Sequence, residues 1–311
     1  MNTRLITAAR CLRRLLLGLL AALLATLPVA AEDGVLVLGR ISDDPASHYA
    51  QLQPLLDYVV PRMADVGIRE GRILMARDAQ QMVSYLRRDR VDWVTETSAA
   101  AMLLAERAGA EPLLLTERSG VSRYRTLFFV RRDGGIETLE DLRGRSVAFQ
   151  NRASTSAYFI PATELLDRGL PMEILLSPMD QASPESVGYL FAGSESNITT
   201  WVHKRLVDAG AMSNLDWENP RATPPSYRDD LVLIHQTPAF PRALEVTREG
   251  LDPRVRERLR RVLLQAAEDP DAGEALQHFF RTTRFLPISE ADREQLRYLR
   301  GAVGKVGAEI E

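Results

Sequence analysis

Apolar and polar positions alternate along this chain in blocks. VLVLG (35–39) is a short continuous apolar run, and from Pro45 to Ala64 the apolar residues recur at helical spacing through Leu52, Leu55, Leu56 and Val59. RILMA (72–76), VDWVT (91–95) and PLLLT (112–116) repeat the strand signal. Between them DAQQMVSYLRRDR and TSAAAMLLAERAG carry helical patterns, the second stopping at Gly109. Strands alternating with helices of ten or more residues predict a parallel, doubly wound sheet, and continuous apolar runs fit strands covered on both faces.

After Arg118-Ser119-Gly120 the pattern restarts. YRTLFFVRR (124–132) and SVAFQ (146–150) read as strands with TLEDLRG a short helix between them. EILLS (173–177) is a further strand, a helix follows through Ile198 to Lys204, and VDAGAM (207–212) reads as a strand that closes a second α/β unit. Pro220, Pro224 and Pro225 mark 214–229 as linker, DLVLIHQ (230–236) is one more strand, and the chain from Pro253 is largely helical. RVRERLRRVLLQA in that part is amphipathic, and its acids fit a solvated helix face better than a membrane surface. The expected fold is α/β, with two doubly wound lobes, a hinge and an interlobal cleft. Lobe one is assigned to 32–118 plus 229–311 and lobe two to 122–214, with crossings at 117–123 and 214–229. Ligands of such folds bind where strand C-termini face the cleft.

The first residues change the picture of compartment. Arg4, Arg10, Arg13 and Arg14 precede an apolar run from Leu15 to Leu27, followed by Pro28 and the small residues Val29-Ala30-Ala31. That order predicts a secretory signal peptide over 1–31, cleaved after Ala31, and an exported, periplasmic protein. The run is short for a membrane span, which needs about 20 apolar residues. The single cysteine, Cys11, lies inside the signal, so the remaining chain of about 280 residues has no thiol nucleophile, disulfide or zinc–thiolate site. The formal charge of −3 becomes −7 once four arginines and no acid are removed, which argues against nucleic acid as a partner.

Chemistry is concentrated in a few places. In QNRASTSAYFIPATELLDRG the hydroxyls Ser154, Thr155 and Ser156 stand between a strand and a helix. They cap the helix, or with its free N–H groups they form an oxyanion pocket. Pro161 must then sit early in that helix. Gly193-Ser194-Glu195-Ser196-Asn197 reads as a loop and helix cap, and in VDWVTETS Glu96 follows a strand and opens a helix, with Thr97 and Ser98 beside it. Helix dipoles favour an acid at that place, and a cleft-facing role is the alternative. Tyr124 begins a strand near the crossing, and Ser213 and Asn214 follow the VDAGAM strand. The four histidines, His48, His203, His235 and His278, form no metal motif. No nucleophile elbow and no phosphate-binding glycine loop occurs, so no enzyme, cofactor or metal is expected.

Taken together, VDWVTETSAAA, the run from SRYRTLFFVRR to PATELLDRGL, GSESN and VDAGAM resemble the phosphonate-binding-protein-like branch of type 2 periplasmic solute receptors, which serve ABC importers of phosphate, phosphite and phosphonates. The resemblance covers nearly the whole chain after the signal and is sharpest from Tyr124 to Gly169. It implies that Ser154, Thr155 and Ser156 hold phosphonate oxygens. It also implies that Glu195 meets a ligand amino group, with Ser194 standing where the family tends to have His. An aromatic residue near Tyr124 contacts ligand in the family, and a Tyr stands where this chain has Glu96. Site residues expected on this basis are Glu96, Thr97, Tyr124, Ser154, Thr155, Ser156, Ser194, Glu195 and Ser213. The expected function is a receptor for a small anion or zwitterion, phosphonate-like, that delivers it to an ABC permease. A receptor read by a membrane kinase or chemoreceptor, and an exported enzyme on the same scaffold, are the alternatives.

Overall fold

The computed structural model describes residues 34–309; the expected signal peptide and Cys11 lie outside them. Two six-stranded sheets organise the described chain. The first contains β1 (Val35–Ile41), β2 (Glu70–Ala76), β3 (Trp93–Thr97), β4 (Glu111–Arg118), β13 (Ala243–Thr247) and β14 (Thr282–Leu286), in the order β14-β4-β13-β3-β1-β2. The second contains β6 (Thr126–Arg131), β7 (Ser146–Phe149), β8 (Met172–Ile174), β9 (Val187–Phe191), β10 (Ala209–Ser213) and β11 (Leu231–Gln236), in the order β11-β6-β10-β7-β9-β8. Between the sheets, β5 (Arg123–Tyr124) pairs antiparallel with β12 (Phe240–Pro241), so both crossings run side by side as a ribbon.

The sheets are mixed, not parallel throughout. β1, β2 and β3 are parallel, but β13 lies antiparallel between β3 and β4. The register gives the reason. The chain returns from the second lobe beside the C-terminal end of β3, where Ala243 pairs with Thr97, and from there it can only run back along β3. β6 enters the second sheet the same way, with Thr126 opposite Ser213. The returning end of β11 places Gln236 opposite Leu127.

This pairing also moves the lobe boundary expected at 229. β11 is an edge strand of the second sheet, so the second crossing is Thr237–Arg242 and not 214–229. The proline-rich 214–229 segment belongs to the second lobe and forms two short helices, Asn214–Glu218 and Pro225–Arg228. Their aromatic residues anchor them: Trp217 lies 5.0 Å from Phe129, and Tyr227 stacks on His203 at 3.9 Å.

The longer helices are α1 (Pro45–Val59), α2 (Ala79–Arg87), α3 (Ser98–Ala108), α4 (Ile160–Asp167), α5 (Glu195–His203), α6 (Pro253–Gln265) and α7 (Glu290–Glu309). Asp44, Asp78, Ser194 and Asp252 cap α1, α2, α5 and α6, each side chain accepting an otherwise orphaned N–H. α3 is buried from Ser98 through Ala105, and its alanines let neighbours approach on every side. α7 packs on α3 of the first lobe and α4 of the second, where Lys305 reaches Asp167 at 2.7 Å. One apolar core runs under both lobes through these helices, joining Val94, Leu104, Leu165 and Leu299.

Gly210 in β10 shows how tightly the second sheet is filled. A Cβ there would lie 2.6 Å from both Ile198 and Phe129. Gly210→Ala is expected to cost about 1–3 kcal/mol, read as a lower urea midpoint at unchanged m-value.

Candidate functional site

The polar groups gather where the crossings bring the strand ends together, around a cleft of about 830 Å³. Its second-lobe wall begins at the turn after β7. Ser154 has extended backbone and its Oγ accepts the Ala157 N–H, which starts a π-helical turn (Thr155–Phe159) that continues into α4. Thr155 and Ser156 are the first residues of that turn, so their N–H groups have no partner within it. Pro161 follows that turn, and its missing N–H strands no carbonyl, because those of Ser156 and Ala157 accept from Thr126 Oγ1 and the Gln150 N–H. Thr155 Oγ1 accepts the Ala99 N–H of α3 at 2.9 Å, and Thr97 Oγ1 donates to the Ala153 carbonyl at 3.2 Å, so both hydroxyls tie the lobes together. A hydroxyl that accepts from an amide still has a hydrogen to donate. Tyr124 hydrogen-bonds with the Thr155 and Ser156 side chains; burial pushes its phenol above the usual value of 10, so it stays a neutral donor.

On the same wall stand two carboxylates. Glu195 opens α5 and is held by its own backbone N–H and by Gln150; burial, then the nearby charge of Asp216, pushes it up to about 7. Burial also raises Asp216, while bonds with Ser213 and the charge of Arg242 oppose the rise. Ser213 Oγ donates to the Asp216 carboxylate and accepts the Asp216 N–H, capping the helix that follows β10.

The first-lobe wall is cationic. Arg40 at the end of β1, Arg118 at the end of β4 and Arg242 after the ribbon line it, with His48, Ser42 and Glu96. Burial, Arg40 and Arg242 push Arg118 down to about 9, still charged at neutral pH. The His48 ring is held by Ser42 at 2.6 Å, and burial and Arg40 keep it below its usual value.

Eight of the nine expected site residues line the cleft: Glu96, Thr97, Tyr124, Ser154, Thr155, Ser156, Glu195 and Ser213. Ser194 does not; its hydroxyl accepts the Asn197 N–H and contacts Ser196. Glu96 is not the start of a helix but the penultimate residue of β3. Its oxygens accept the N–H groups of Ile41, at 2.8 Å, and of Thr97, which binds β3 to β1. Sequence reasoning passed over Arg40, Arg118, Arg242 and Asp216. The available signal was a charged residue at the C-terminal end of an apolar strand, in LGRIS and LLTERS. No group of three or more acidic, His or Cys side chains suited to a metal occurs among the described residues.

Two sheets joined by paired crossings, with polar strand ends lining the cleft between them, define a periplasmic-binding-protein fold. Over residues 39–293 the chain matches the family described as "ABC transporter, phosphonate, periplasmic substrate-binding protein", and it belongs to that family. It is a periplasmic substrate-binding protein for small ligands, working with an ABC transporter. Among solved structures it is similar to XAC2383 from Xanthomonas citri bound to chloride ion, at 56% identity, covering 88% of this chain and 99% of that one, with a TM-score of 0.85. XAC2383 bound to ATP matches at 54% identity, covering 89% and 100%, with the same TM-score. PhnD1 from Prochlorococcus marinus (MIT 9301), in complex with methylphosphonate, shares the fold at 18% identity, covering 88% and 98%, with a TM-score of 0.62.

Proposed function

We propose that the cleft takes a compact zwitterion, an aminoalkylphosphonate-like compound, and that the lobes close on it about the ribbon of β5 and β12. The anionic head sits against the N–H and hydroxyl groups of Ser154, Thr155 and Ser156 and the Tyr124 phenol. The cationic group sits at Glu195 and Asp216. The observation that carries this reading is the pair of half-buried, mutually repelling carboxylates on the same wall as a set of neutral donors. An ammonium group relieves that repulsion, whereas a bare phosphate gains nothing from it. Glu96 stands on the first-lobe wall with its oxygens held by the Ile41 and Thr97 N–H groups, so the cation is assigned to the Glu195 and Asp216 pair. That XAC2383 has been solved bound to chloride ion and to ATP supports an anionic group on the ligand.

Calorimetric titration of aminoethylphosphonate, methylphosphonate, phosphite and orthophosphate tests this. The amine-bearing ligand should bind at least tenfold more tightly than methylphosphonate; orthophosphate binding as tightly as the amine would sink the proposal. pH gives a second test. Glu195 ionises as pH rises through about 7, so affinity for aminoethylphosphonate should rise between pH 6 and 8 more steeply than that for methylphosphonate. Glu195→Gln should remove the difference. The ligand-free protein should show the opposite trend. Its folded carboxyl holds a proton that the unfolded chain, near the ordinary value of 4.5, releases; that contribution is complete below 4.5 and is lost as pH rises through about 7. Delivery to an ABC permease predicts that deleting the gene abolishes uptake of the labelled ligand. Retained uptake with a lost response would instead assign the closed form to a membrane sensor.

A further inference from the structure

The wall opposite the hydroxyls holds more positive charge than one phosphonate head needs. The guanidinium carbons of Arg40 and Arg118 lie 4.5 and 4.4 Å from the centroid of the same Phe280 ring, so one aromatic residue gathers both cations. Arg118 is buried, yet its Nε has no hydrogen-bond partner among the described residues, and its Nη2 only approaches Thr95 Oγ1 at 3.5 Å. Arg40 also leaves its Nε unpartnered and spends Nη1 on the Thr95 carbonyl at 3.2 Å. Neither arginine forms an ion pair with a described residue.

Glu245 and Glu96 favour the Arg118 charge through space, but neither forms an ion pair with it or with Arg40, and the oxygens of the nearby acids are held by other donors. Glu245, behind the wall, accepts from Trp93, Thr95 and Thr116, and Glu96 accepts from two backbone amides. Asp78 caps α2 and pairs with Arg77, and Asp43 is exposed at the rim. Buried donors with unmet capacity are uncommon, and a guanidinium offers five in a planar fork that suits phosphoryl oxygens. Phe280 and the next residue, Arg281, both take the left-handed backbone region, at φ of 54°, which is costly for residues with side chains. The fold thus holds the ring in an unfavourable backbone conformation beneath two unsatisfied cations, as functional sites often do.

We infer that Arg40, Arg118 and Phe280 form a second anion subsite, which takes the distal phosphoryl group of a ligand with two linked phosphoryl groups. The inference rests on the reading that the hydroxyl wall takes a first phosphonate- or phosphate-type head. The cleft volume of about 830 Å³ lies well inside the range of drug-sized ligand sites and leaves room for both groups.

Titration of the whole protein with orthophosphate, inorganic pyrophosphate and aminoethylphosphonate tests it. Pyrophosphate should bind at least tenfold more tightly than orthophosphate. Arg40→Gln should abolish that preference, weakening pyrophosphate at least tenfold more than aminoethylphosphonate. Arg118→Gln should do the same, with thermal unfolding checking that the buried substitution still folds; Arg40, being only half-buried, keeps the test independent of that outcome. Equal affinity for the two phosphates, or equal weakening of all three ligands by Arg40→Gln, overturns the subsite. If aminoethylphosphonate binds and pyrophosphate shows no gain, the subsite alone fails. If none of the three binds, the first-head reading fails with it.

Discussion

Glu245→Ala is expected to lower the unfolding free energy by about 3–5 kcal/mol, the cost of leaving several buried donors without their acceptor. Glu245 is fully buried in β13. Its oxygens accept from Trp93 Nε1 at 2.6 Å, Thr95 Oγ1 at 2.9 Å and Thr116 Oγ1 at 2.6 Å, so one side chain joins the three central strands β3, β13 and β4. Alanine leaves three donors in a dry sheet without an acceptor, and it removes an acid whose field favours the Arg118 charge. Glu245→Gln keeps the shape and one acceptor oxygen and should cost distinctly less. Urea unfolding of both variants measures the difference; a loss below 1 kcal/mol for the alanine variant would mean that water or a neighbour replaces the carboxylate.

The double substitution Ser154→Ala with Thr155→Ala is expected to weaken aminoethylphosphonate binding at least tenfold, about 1.4 kcal/mol. Two effects add. The proposed anion loses two hydroxyl donors, and the Ala99 N–H of α3 loses the acceptor that reaches it across the lobes. Thr155→Ser alone keeps the hydroxyl and should bind within about threefold of the parent. Calorimetry, with circular dichroism confirming the fold, separates lost contacts from lost structure. Unchanged affinity in the double variant would reduce the hydroxyls to a helix cap and an interlobal tie.

Much of the architecture was legible because its signals are local. Apolar runs bounded by capping residues marked β1, β3, β4 and β6, and the polar break after Arg118 marked the first crossing. β13 and β14 escaped because ALEVT carries a glutamate and TTRFL an arginine, which read as solvent-facing until the sheet supplies partners. The parallel sheet expected from β/α alternation failed for a related reason. Strand direction depends on where the returning chain enters, and that is fixed by pairing between residues as distant as Ala243 and Thr97. The boundary at 229 failed because prolines suggest a linker, while Trp217 and Tyr227 hold that segment on the second lobe.

The site divides along the same line. The Ser154–Ser156 cap and the acid at Glu195 follow from residues within one or two turns, so the sequence by itself determined them, together with the α/β class and the family resemblance. The cationic wall draws Arg40, Arg118, Arg242 and Phe280 from separate elements, and Glu96 owes its anchoring role to a neighbouring strand. Only the tertiary structure could decide those, because burial and the company of other charges determine what an ionisable side chain does, and both come from residues far away along the chain.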